Sequence, residues 1–170
     1  MSEEIPLVRA GAGLNVDPGV QIGYGVKGAD EAVLLGANCT IRSGTIIYRR
    51  VTAGDYFQTG HNVMIRENTR IGDHVVVGTN SVIDGTVEIG SFVKIESNCY
   101  IPTHVTIGTR VFFGPGVVLT NDRYPLRQRD SYKPEGPTIE DDVTLGGGVT
   151  VCPGVRIGQG VQADIAVGMG

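Results

Sequence analysis

The sequence predicts an all-β solenoid, a prism of short stacked strands, and three observations predict it. One column of branched aliphatic or large apolar residues recurs every sixth position: Ile65, Ile71, Val77, Ile83, Ile89, Ile95, Ile101, Ile107, Phe113 and Leu119. Four positions after most of these comes a second small or branched residue, as at Thr69, Val75, Ser81, Val87, Val93, Cys99, Val105, Val111 and Val117. The position just after the aliphatic is often glycine or acidic, as at Gly72, Gly78, Asp84, Gly90, Glu96, Gly108 and Gly114. A period of six is neither the helical 3.6 nor the 2 of a lone strand, so it marks a repeat architecture.

One six-residue unit cannot bury an apolar face alone, so successive units must stack. A short strand plus a corner uses six residues, and three such sides make a triangular coil of about 18 residues. The aliphatic residue points into the prism and the small residue four later faces inward near the next corner. Each strand then pairs in parallel with the strand one coil away, at about 4.8 Å. The period does not set the hand of the coil, and most parallel crossovers are right-handed.

Taken in order, residues before about Val16 carry little pattern, and Met1 to Glu4 reads as a loose polar end. Two clean units open the stack, Val16 to Val20 and Ile22 to Val26. Between Gly28 and Leu35 the frame slips by one residue, which predicts a bulged corner. From Leu35 the frame runs through Ile41, Ile47, Ala53 and Thr59 to Leu119. It resumes at Ile139, Leu145, Val151 and Ile157. The excess between Leu119 and Ile139 predicts a loop thrown out over about 121–138, polar, rich in Arg and punctuated by Pro125, Pro134, Gly136 and Pro137. Loops on a rigid scaffold are where function concentrates. Met169 and Gly170 begin a further unit, so the chain reads as one domain over 1–170 that stops mid-repeat.

Composition agrees. A hydrophobic content of 41% supplies a core, and 6% aromatic with no Trp suits a narrow prism of Ile and Val. A net charge of −4 argues against a nucleic-acid surface. Cys39 and Cys99 fall in the small-residue column and Cys152 just after an aliphatic, with no CxxC spacing; they read as small core or corner residues in a reducing compartment. No long apolar run supports a membrane span or a secretion signal.

Stacking predicts neighbours. Asn121 stands over Thr103, Gly85 and Glu67 in turn, and Asp122 over His104. Asn, Asp and His thus meet at the root of the loop, where His104 beside Asp122 has the makings of an oriented general base or of an exposed corner residue. His61 and His74 fall on two other corner columns, which disfavours a shared metal site.

Phe113 through Pro125, the arginines Arg127 and Arg129 and the run Gly146, Gly147, Gly148 in the resuming coil together resemble the hexapeptide-repeat acyltransferases. Within them the chain is most similar to the branch that acetylates amines of nucleotide-linked sugars. That resemblance implies a left-handed parallel β-helix, a homotrimer with sites between subunits, and acetyl-CoA as co-substrate. It implies catalysis around Asn121, with His104 and Asp122 beside it. CoA contacts are expected at Gly146, Gly147, Gly148, Arg127 and Arg129, and sugar contacts at Glu67, Thr103, Arg123 and Tyr124. The acceptor is expected to be a UDP- or dTDP-linked amino sugar, and the location cytoplasmic. No metal, nucleic-acid or membrane partner is implied. The hydroxyl-acetylating branch carries a histidine shortly after this motif, where Asp122, Arg123, Tyr124 and Pro125 stand here. The alternatives are O-acetylation of a sugar or other hydroxyl acceptor with His104 as base, and a non-catalytic trimeric scaffold.

Overall fold

A computed structural model describes residues 8–25, 32–127 and 131–164. Its strands, almost all of two or three residues, run in one order around three faces. β1 (Val8–Ala10), β4 (Val33–Leu35), β7 (Thr52–Ala53), β10 (Arg70–Ile71), β13 (Glu88–Ile89), β16 (Thr106–Ile107), β19 (Thr138–Ile139) and β22 (Arg156–Ile157) form sheet A. β2 (Asn15–Val16), β5 (Thr40–Ile41), β8 (Gln58–Thr59), β11 (Val76–Val77), β14 (Lys94–Ile95), β17 (Phe112–Phe113), β20 (Thr144–Leu145) and β23 (Gln162–Ala163) form sheet B. Sheet C contains β3 (Gln21–Tyr24), β6 (Ile46–Tyr48), β9 (Met64–Ile65), β12 (Val82–Ile83), β15 (Tyr100–Ile101), β18 (Val118–Leu119) and β21 (Thr150–Val151). All pairings are parallel, and Ile71 on Ile89 or Ile83 on Ile101 shows the 18-residue register. This is the left-handed parallel β-helix that the resemblance implies.

The six-residue column is the core. Ile65, Ile83, Ile95, Ile101, Phe113 and Leu119 are fully buried, and so are Thr69, Val75, Ser81, Val87 and Val117 of the second column. Each two-residue strand therefore presents one side chain outward and one inward, and the inward set fills the prism from end to end. Burying each Ile contributes roughly 1.5–3 kcal/mol. The thiols of Cys39 and Cys99 lie inside among the same residues, and burial pushes both up in pKa. Cys152 is exposed.

Corners require left-handed backbone. On the B–C corner Asn62, Asn80 and Asn98 take it, with φ of 55°, 59° and 62°, as Asn does at low steric cost. Their amides form a ladder, Asn62 Nδ2 to Asn80 Oδ1 at 3.3 Å and Asn80 Nδ2 to Asn98 Oδ1 at 3.5 Å. The A–B corner places Tyr56, His74 and Phe92 there instead, their rings stacked at 4.6 and 4.9 Å.

Two expectations need correction. The stack opens before Val16: β1 pairs with β4, Val8 on Val33. Nor is the irregularity before Leu35 a one-residue bulge. Ile22 pairs with Ile47 and Val16 with Ile41, 25 positions apart, so seven residues beyond the regular 18 leave the C–A corner between β3 and β4. A six-residue frame detects an insertion only modulo six, and seven therefore looks like one. Val26 and Gly28, like Met1 to Glu4 and Met169 to Gly170, lie outside the described residues. The second excursion leaves the same corner, between β18 and β19, where Ile107 pairs with Ile139.

Candidate functional site at the root of the second excursion

Between coils the C–A corner passes through columns of residues 18 apart. As β18 ends, the chain turns outward at Thr120 and Asn121 and returns at Glu135. The root is closed by Glu135 N–H donating to the Asn121 carbonyl at 2.9 Å, while Glu135 accepts from Gly154 N–H at 2.8 Å. Because the backbone leaves the coil after Asn121, the Asn121 side chain supplies the donor: its Nδ2 bonds the Thr103 carbonyl at 3.2 Å and Thr103 Oγ1 at 3.0 Å. A carbonyl can only accept, so this contact fixes which way the amide faces. Asn121 Oδ1 is thereby presented as an acceptor. Thr103 and Asn121 are both half-buried.

Asp122 does not orient His104. Its Oδ1 accepts the Tyr124 backbone N–H at 2.9 Å, an Asx turn that starts the loop, and no hydrogen bond joins it to the His104 ring. What lies over His104 is Gly136, on the returning segment just before β19: a Cβ there would stand 2.1 Å from the His104 carbonyl oxygen. The excursion displaces Asp122 from the column that simple counting assigns it. Asn121 and Asp122 open on a recess formed with Arg123, Tyr124, Tyr132, Lys133 and Glu135. His104 opens elsewhere, on a long groove down sheet A. Burial pushes the Tyr132 phenol up, and the nearby Asp122 charge adds to it.

Glu67 stands three coils below Asn121, about 14 Å away. It is held bidentately by Arg66, at 2.9 and 3.2 Å, and Arg66 also reaches Asp84 at 3.2 Å and lies over the Tyr48 ring at 5.6 Å. Burial pushes the Glu67 carboxyl up, but its own backbone N–H and the Arg66 guanidinium outweigh that and hold it below the ordinary value. Tyr100 Oη donates to the remaining Asp84 oxygen at 3.2 Å. Arg123 is exposed and donates to the Pro153 carbonyl at 3.2 Å, tying the loop to the coil above. Tyr124 and Arg127 are exposed in the loop turn, where Arg127 N–H meets the Tyr124 carbonyl at 3.1 Å. Arg129 lies outside the described residues.

Gly146, Gly147 and Gly148 turn the B–C corner, a different edge of the prism from Asn121. Gly147 sits over Pro115, and Gly148 takes φ of 71°. One chain cannot bring this triplet to Asn121. His61 belongs to the same edge, sharing a 2.8 Å hydrogen bond between its Nδ1 and Ser43 Oγ, and His74 to the third. The three histidines are therefore apart, and among the described residues no three metal-binding side chains gather. Nor is any helix among them long and apolar enough to cross a membrane.

Counting alone missed the sheet A groove. Its volume is about 800 Å³ and its lining includes Arg9, Arg50, Arg70, Glu88, Thr86 and His104. The outward column 34, 52, 70, 88, 106 was available as a signal, but outward residues carry no hydrophobic period to draw attention.

A triangular parallel β-helix with a loop thrown from one corner is the build of a hexapeptide-repeat transferase. Residues 54–85 and 86–121 match the bacterial transferase hexapeptide (six repeats), and residues 138–163 match the hexapeptide repeat of succinyl-transferase. These matches span more than half of the chain, which belongs to the hexapeptide-repeat acyltransferases. No curated protein matches it. Among solved structures it is similar to LpxA from Acinetobacter baumannii, at 16% identity and a TM-score of 0.52, over 95% of this chain and 72% of that one. It also matches UDP-N-acetylglucosamine acyltransferase from Campylobacter jejuni, at 17% identity and a TM-score of 0.44, over 92% of this chain. The chain spans 62% of that second protein. At 16% identity the likeness to the first of these is one of fold.

Proposed function

We propose that this acyltransferase moves an acetyl group from acetyl-CoA to the amine of a UDP- or dTDP-linked amino sugar, as a cytoplasmic homotrimer. The observation that carries it is Asn121, whose amide is locked by Thr103 with Oδ1 left to accept. An amine N–H donating to that oxygen has its lone pair turned away from Asn121, toward the thioester carbonyl. The N–C bond forms, the C–S bond breaks, and CoA leaves as its thiolate or thiol as the amine gives up a proton. An amine can shed a proton to solvent before attack, whereas a hydroxyl needs a base in the transition state. The absence of a His104–Asp122 hydrogen bond supports the amine.

The Gly146 to Gly148 corner supports the trimer. A site that uses both it and Asn121 needs two copies, and glycine lets a pantetheine arm approach the backbone. Arg127 and Arg123, both exposed in the loop, are assigned in this reading to phosphate contacts.

Asn121→Ala is expected to lower kcat on an amino-sugar acceptor about a hundredfold, with KM for acetyl-CoA little changed. Unchanged turnover removes Asn121 from the mechanism. A second reading, O-acetylation with His104 as base, is favoured by the opening of His104 on the groove. It requires His104→Ala to lose rate on a hydroxyl acceptor, and a full rate sinks it.

A further inference from the structure

We propose that sheet C is the face by which three copies of this chain pack around an axis parallel to their prisms, its apolar outward column filling a fourth prism between them. This deepens the reading above and rests on it for the division of the site between copies.

Ile46, Met64, Val82, Tyr100 and Val118 are successive outward residues of sheet C, each paired with the next in register. Four are half-buried and Tyr100 is 38% exposed. Gln21 pairs below the run and Thr150 above it. The Tyr100 hydroxyl is turned aside to Asp84 on the corner, at 3.2 Å. The other two faces are built differently. Their outward columns are interrupted by Arg70, Glu88 and Arg156 on sheet A, and by Gln58, Lys94 and Gln162 on sheet B. An unbroken apolar run over five coils of one outer face marks an interaction surface.

The corners on either side of sheet C select the occupant. The B–C corner carries Gly146 to Gly148 and the C–A corner carries Asn121, and one chain cannot join them. Gly147 lies one coil above Pro115, and Asn121 follows Pro115 by six residues, a third of a coil. Their heights therefore differ by about two-thirds of a strand spacing, about 3 Å. Rotation about an axis parallel to the prism changes no height. Turning sheet C of every copy toward that axis sets the B–C corner of one beside the C–A corner of the next, at almost the same level. Sheet A turned inward would leave the glycine corner outside, and sheet B would leave Asn121 outside.

The size of the prism points to three copies. One side of a coil spans six residues, about 20 Å at the rise of an extended strand. Three such sides turned inward enclose a triangle congruent with the coil itself, each sheet about 6 Å from the axis. Inside the chain a triangle of that size is filled by one apolar side chain per strand, on sheet C by Ile47, Ile65, Ile83, Ile101 and Leu119. The outer side of the same strands offers Ile, Met, Val, Tyr and Val, side chains of the same class.

The test is light scattering on the full chain after size-exclusion chromatography. It is repeated on Val82→Glu and on Val76→Glu, the matching outward valine of sheet B in the same coil. The parent is expected at three times the chain mass. Val82→Glu sets three carboxylates around one axis away from water, and is expected to weaken assembly at least about a hundredfold with far-UV circular dichroism unchanged. Met64→Lys is the second variant on the face and is expected to act in the same way. Val76→Glu is expected to stay trimeric. A monomeric or dimeric parent overturns the proposal, and so do trimeric Val82→Glu and Met64→Lys or a Val76→Glu that dissociates as readily. Full acetyl transfer by monomeric Val82→Glu overturns the sharing of the site between copies. A parent that is trimeric through this face yet transfers no acetyl to an amino sugar leaves the face standing and sinks the acetylation reading above.

Discussion

Thr86 sits in left-handed backbone with a branched Cβ, next to corners that use Asn for the same turn. Thr86→Asn is expected to raise stability by about 1 kcal/mol, read as a higher Tm. Gly136 is the opposite case. A methyl there meets the His104 carbonyl, so Gly136→Ala should cost roughly 1–3 kcal/mol and shift the loop root, lowering turnover with Asn121 intact. Cysteine chemistry gives a third residue-level test. Thiols act as thiolates, and burial raises Cys39 and Cys99, so at neutral pH only Cys152 should react with a thiol reagent in the folded protein. More than one fast-reacting thiol per chain would contradict the packed prism. The pairing of Asn121 with Thr103 was legible from 18-residue counting, because both lie where the coil is still regular. The placing of Asp122 over His104 was not: one residue later the chain has left the coil, and counting no longer measures height.

At the scale of elements, the loop is an appendage with a closed base. Asn121 and Glu135 are hydrogen-bonded to each other, so replacing 122–134 by a short glycine link should leave the β-helix folded, by far-UV circular dichroism, while abolishing transfer. Loss of the fold would show that the loop supports the coils. Its length was readable because the six-residue frame stops at Leu119 and resumes at Ile139, leaving a visible gap, whereas the first excursion hid in the arithmetic. Ion pairs between coils behave as exposed groups. Hydrogen bonds from Arg110 and then Gln159 hold the Asp142 carboxyl below its usual range, and those from Gln159 and then Arg156 do the same for Glu140. A carboxyl lowered in the folded state stabilises above its unfolded pKa and ceases to as pH falls through the folded one. Acid destabilisation from this pair should therefore set in as pH falls through the ordinary carboxylate range and be complete only below it, and added salt should weaken it.

For the whole molecule, each coil touches only the coils above and below, and the core is continuous from Val33 to Val151. The end coils are thinner: Val155 is 38% exposed and Val161 41%. Hydrogen exchange should accordingly be slowest around β9 to β18 and faster toward both ends, and uniform protection would contradict a linear stack. The fold class was legible because an inward side chain every sixth residue leaves a periodic trace. The groove was not, because residues on the outside of the prism obey no packing period.

One consequence follows from the register of Ile71 on Ile89 and its repeats. Residue number is height: adding or removing 18 residues moves everything above by one strand spacing, about 4.8 Å, and rotates nothing. Excising 71–88 would lower Asn121 toward Arg50 by that step while leaving each in its own surroundings. The distance between two levels of such a molecule can be set by whole-coil deletion or duplication, with no change to the side chains at either level.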